Sequence, residues 1–124
     1  MGMDRDLFER FVAIAWDNLP EEFQAELDNV DVVVEDWPDA KTMHRAGVRH
    51  RSQILGFYHG IPKTKRDHGY TLVLPDKISI YRGPIMMRCR DWEQVLEMVQ
   101  RVLRHEVGHY FGLSDERLRE SGAY

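Results

Sequence analysis

Two histidines four residues apart, with a glutamate directly after the first, stand at His105, Glu106 and His109. On a helix, residues at that spacing differ by about 40° in angle and about 6 Å in rise, so both imidazoles project from one face on successive turns. Such a pair grips one cation, and zinc is the cation that this donor type suits best. Glu106 then lies beside the outer sphere of the metal, free of direct ligation, where its carboxylate takes a proton from water. A zinc site that does chemistry uses three protein ligands and keeps one position open. Gly112 supplies the means to reach the third. A glycine just past a helix adopts the left-handed conformation that ends it, and so turns the chain back for Asp115 to approach the same ion. The spacing therefore offers His105 and His109 as metal ligands, Asp115 as a potential third, and Glu106 in a general-base position. The two-histidine pattern alone arises in roughly a few per cent of shuffled chains of this composition, and requiring Gly112 and Asp115 as well lowers that to about one in ten thousand. A structural alternative has Ser114 capping a last short helix, with Asp115 and Glu116 at its positive end and the histidines facing solvent.

The element that must carry these residues is a long helix. Asp91 and Gln94 stand three apart as in a capping box, and the helix is expected to run from Asp91 to about Phe111. Trp92, Val95, Leu96, Val99 and Leu103 form an apolar stripe for the core, and Met98, Val102, His105, His109 and Gly112 form an adjoining one. The metal face thus borders the core, which holds it rigidly and leaves one side open to substrate. Upstream, Asp4 to Asn18 reads as an amphipathic helix, and Pro20 opens a shorter one ending near Leu27 and Asn29. Val30 to Glu35 reads as a strand buried on both faces, followed by a long polar loop. Ile54 to Tyr58 and Tyr70 to Leu74 are further strands. Lys77 to Arg82 alternates strictly, with Ile78 and Ile80 inward and one wet face. The fold class expected is α+β: a small three- or four-stranded twisted sheet packed against the N-terminal helix and the long active-site helix, closed by a short C-terminal helix.

The run His105-Glu106-Val107-Gly108-His109-Tyr110-Phe111-Gly112-Leu113-Ser114-Asp115 resembles the HExxHxxGxxD signature of Asp-zincins, and the whole short chain is similar to the small bacterial zincin-like metallopeptidases called mini-zincins. The stretches 80–85 and 112–118 also look like that family, so the resemblance covers most of the second half and the first half only in layout. It implies a minimal zincin-like fold in one domain spanning 1–124, zinc on His105, His109 and Asp115, and Glu106 as catalytic base. It also implies an edge strand upstream of the active helix that pairs with an extended substrate, for which Lys77 to Arg82 is the candidate. The larger metzincins place a methionine in a tight turn beneath the metal, yet no methionine follows Met98 here. The only aromatic residue beyond Asp115 is Tyr124, proposed as the active-site support in its place.

Length and composition confine the rest. With 124 residues, 43% hydrophobic and 31% charged, one domain with a modest core is expected. A formal charge of -4 gives no global attraction to nucleic acid, and the basic groups at Arg45, Arg49 and Arg51 and at Lys63, Lys65 and Arg66 read as solvated loops. The apolar stretch Phe11 to Trp16 is far too short to span a bilayer. Cys89 has no internal disulfide partner and the N-terminus lacks a secretory pattern, which favours a cytoplasmic setting. Met86 and Met87 read as packing residues, Arg88 and Arg90 as solvated, and His44, His50, His59 and His68 as loop or strand-end histidines. His68, Tyr81 and Arg82 are candidates for oxyanion donation.

The chemistry expected is hydrolysis of short peptides or flexible protein segments. A homodimer is expected from the small size of the chain. Two rivals stand beside this reading. One is a zinc-binding structural or regulatory interaction module, its fourth metal position closed by Cys89, His68 or the terminal carboxylate of Tyr124. The other is a metal-dependent hydrolase of a non-peptide substrate.

Overall fold

Capping aspartates at Asp4, Asp39 and Asp91 open three of the described helices. The computed structural model describes residues 4–27, 29–61 and 76–112. Helix α1 (Arg5–Asp17) starts where the Asp4 carboxylate accepts from the Leu7 N–H at 2.8 Å, satisfying one of the unpaired donors of its first turn. It buries Phe8, Val12 and Ala15. The single turn α2 (Glu21–Gln24) follows Pro20, and strand β1 (Val30–Glu35) follows that. Helix α3 (Ala40–Ala46) lies where the sequence reads as a polar loop; Asp39 caps its start by accepting from the Thr42 N–H, and Gly47, at φ +73°, ends it in the left-handed region. Strands β2 (Gly56–His59) and β3 (Asp76–Tyr81), the short helix α4 (Arg82–Arg88) and the long helix α5 (Trp92–Tyr110) complete the described elements. The expected strand at Tyr70 to Leu74 and the short C-terminal helix lie outside the described residues.

The sheet runs β1-β3-β2, with β1 parallel and β2 antiparallel to β3. Three expectations change with this order. Lys77 to Arg82 is not an edge, because β3 hydrogen-bonds to a strand on each side; among the described residues β2 and β1 are the edges. Nor is β1 buried on both faces. As an edge strand it fully buries only Val34, while Asp31 is exposed. Finally, β3 alternates as read but its second face is wet only at Lys77, since Ser79 and Tyr81 are as buried as Ile78 and Ile80. The unforeseen α3 accounts for this cover: Tyr81 lies beside Ser79 and Thr42, and the Arg45 guanidinium sits 5.5 Å from the Phe57 ring centre.

On the other face, Ile78, Ile80 and Val34 meet Phe8 and Val12 of α1 and Val95, Val99 and Leu103 of α5 in one core. Trp92 departs from the predicted stripe. It is the first residue of α5 and is 55% exposed. Met86 packs against the core, whereas Met87 is exposed. Arg88 is held more firmly than a solvated residue, donating to the Pro84 and Ser52 carbonyls at 2.9 and 2.7 Å.

His59, at the end of β2, faces Ser79 Oγ at 3.0 Å. Burial, followed by repulsion from Lys77, holds its pKa below the ordinary 6.5. The folded state therefore binds a proton here less readily than the unfolded chain, so the contribution of His59 to stability is full above pH 6.5 and declines as pH falls through and below that value. Replacing His59 by glutamine is expected to flatten this part of the stability profile in urea titrations at pH 5.5 to 7.5. A profile that keeps its slope in the variant contradicts the assignment.

Candidate metal centre

The apolar face of α5 fixes the polar one. Val95, Val99, Leu103 and Val107 lock the helix onto the sheet, so the next stripe round emerges at the core's border with little freedom to rotate. His105 and His109 leave that stripe on successive turns, with ring centres 4.4 Å apart and planes at 74°. Glu106 lies between them. One carboxylate oxygen is 3.2 Å from His109 Nδ1 and the other 3.9 Å from His105 Nε2. The three side chains offer ligand-type atoms that all lie within 4.8 Å of one another. Exposure is graded across the group: 7% for the Glu106 side chain, 18% for His105 and 32% for His109. The carboxylate is deepest, and the imidazoles open toward solvent.

The donor set fits a metal. Two imidazoles and a carboxylate held within one ion's reach suit a borderline cation, and clustering a nearly buried carboxylate with two half-open histidines is costly to maintain without a charge to share. Gly112 behaves as expected, at φ +81° with its N–H donating to the His109 carbonyl, and ends the helix one turn past the second histidine. Asp115, Tyr124 and His68 lie outside the described residues. Tyr81 and Arg82 are engaged elsewhere: Tyr81 is buried beside Ser79 and Thr42, and Arg82 Nε donates to Asp36 Oδ1 at 2.9 Å. That guanidinium holds the Asp36 carboxyl below the usual carboxylate range.

Beside the cluster, a cleft of about 290 Å³ opens between α5 residues Arg101, Val102, His105 and Glu106 and the stretch 53–56 leading into β2. Gly56 makes this closeness possible. A Cβ there would lie 2.6 Å from Val102 Cγ1, 3.0 Å from the Ser79 carbonyl oxygen and 3.4 Å from Glu106 Cγ. Sequence reasoning overlooked Gly56, although a lone glycine inside a strand pattern signals close approach of another element. Gly56→Ala is expected to cost about 1 to 3 kcal/mol, as forced overpacking does, and to weaken zinc binding by displacing Glu106 and its helix. Urea denaturation and zinc titration check this, and wild-type values in both would refute the role given to Gly56.

The family model for zincin-like metallopeptidases matches residues 27–123. No curated protein matches the chain. Among solved structures, the chain is similar to a conserved hypothetical protein from Thermo thermophilus, at 23% identity and a TM-score of 0.54 over 95% of this chain and 99% of that one. That likeness speaks to the fold, whereas the family match covers most of the chain and takes in the histidine pair. The protein belongs to the zincin-like metallopeptidase family.

Proposed function

We propose that the protein is a zinc-dependent peptidase that hydrolyses peptide bonds in extended segments, with His105, His109 and Asp115 as metal ligands and Glu106 as general base. The observation that carries this reading is the cluster of Glu106 with the two histidines, within 4.8 Å, at the wall of an open cleft. Zinc bound there supplies Lewis acidity, lowering the pKa of a coordinated water and polarising the scissile carbonyl.

The chain's own residues do the rest. Glu106 is fixed by its contact with His109 and by the packing of Gly56 and Val102 beneath it, so its carboxylate meets the attacking water without first losing side-chain freedom. It accepts the water's proton and hands it to the leaving amine. Substrate strand pairing falls to β2, whose outer edge is unpaired among the described residues and whose approach, 53–56, forms one wall of the cleft. Main-chain pairing of this kind demands an extended segment. An unstructured peptide mixture should therefore be cut, and cutting should stop on chelation and return with zinc, as read by mass spectrometry. Digestion of folded and unfolded substrates at equal rates would overturn the edge-strand reading.

A further inference from the structure

Arg101 lies one helical turn before His105 on α5 and forms part of the cleft wall, yet it has no ion pair or hydrogen bond among the described residues. The remaining wall consists of Val102, Ile54, Leu55 and Gly56 together with Gln53, whose amide oxygen is taken up by the Arg49 and His50 N–H groups, and none of these carries a charge. The chemistry of the cleft is thus graded along the helix. The carboxylate of Glu106 and the imidazole of His105 stand at one end and a single guanidinium at the other, about 6 Å of helix rise from His105. We propose that Arg101 is a specificity-determining residue that selects substrates carrying a carboxylate next to the scissile bond.

This rests on the peptidase reading above and adds the substrate class. Guanidinium presents a planar fork of N–H donors that matches a carboxylate in two parallel hydrogen bonds. It is also charged at every working pH. An extended chain advances about 3.3 to 3.6 Å per residue, so about 6 Å reaches one to two residues from the bond being cut. Two carboxylates meet that distance: the side chain of an adjacent Asp or Glu, and the free α-carboxylate of a peptide ending just beyond the scissile bond.

The test reads binding, so that it stands apart from turnover. Zinc-loaded Glu106→Gln protein is titrated by fluorescence anisotropy with labelled peptides in matched pairs. One pair differs by Glu against Gln beside the cleavage position, and the other by a free against an amidated C-terminus. The carboxylate member of at least one pair is expected to bind about tenfold more tightly, and the pair that responds identifies which carboxylate is read. Arg101→Ala in the same background should erase the difference, and Arg101→Glu should invert it in favour of a lysine-containing peptide. Zinc content and thermal midpoint, measured in parallel, should stay at their Glu106→Gln values, since Arg101 is exposed. Equal affinities within both pairs, or a preference that survives Arg101→Glu, would overturn the proposal, as would the failure of every peptide to bind. Selective binding by this protein, with no cleavage by the wild type, would instead leave the role of Arg101 standing and remove the peptidase reading alone.

Discussion

Replacing His109 by alanine is expected to weaken zinc binding by at least about 100-fold and to abolish peptide hydrolysis with it. Outer partners of metal ligands already cost 10- to 100-fold when removed, so loss of a ligand itself sets a floor near the top of that range. The fold should survive. His109 is the most exposed of the three clustered side chains, and the core contacts of α5 come from Val95, Val99, Leu103 and Val107 on the neighbouring face. Competition titration against a chromophoric chelator measures the affinity, and circular dichroism reports the helix. Wild-type affinity in the variant would show that the ion sits elsewhere. Asp115→Asn belongs in the same series. If Asp115 is the third ligand, its loss weakens zinc nearly as much as that of His109, whereas a helix-end carboxylate would leave affinity almost unchanged and lower only stability.

Glu106→Gln should give the opposite division of effects. Glutamine keeps the shape and the contact with His109 but has no basic carboxylate, so zinc remains bound while the rate falls by about two to four orders of magnitude, the usual worth of a positioned general base. Rates and zinc content must be measured on the same preparation. A variant that keeps its zinc and its rate would show that Glu106 is a structural carboxylate, and one that loses both would place it among the ligands.

The parts of this protein legible in its sequence are those set by short-range geometry. The pairing of His105 with His109, the burial of Val95, Val99 and Leu103, the Asp91 cap and the left-handed turn at Gly112 all depend on helical spacing within a few residues. Sheet order does not. Ile78 and Ile80 point inward whichever strand lies beside them, so alternation alone gives no reason to place β3 at the centre with β2 outside it. The cover over Ser79 and Tyr81 is hidden for a related reason. Helix α3 is only 7 residues long and mostly polar, too short to show a periodic stripe, although Asp39 and Gly47 bracket it as cap and stop. Trp92 joins the predicted stripe through its apolar character alone, but as the first residue of the 19-residue helix it is 55% exposed, and the buried stripe begins at Val95. At the site, Gly56 and Arg101 carry no signal in the sequence pattern of the active helix, because their importance comes from the meeting of β2 and α5, which brings these two residues, 45 positions apart along the chain, to one cleft.

Under the proposed function, one metal ion held by the histidine pair makes this chain a peptidase. The most direct measurement is a titration of metal-free protein with zinc, in which bound metal and hydrolysis of an unstructured fluorogenic peptide mixture are followed together. Activity should rise in step with occupancy and level off at about one ion per chain, as expected of a catalytic site with three protein ligands and one open position. Hydrolysis that is already complete without metal, or full occupancy with no hydrolysis at all, would contradict it.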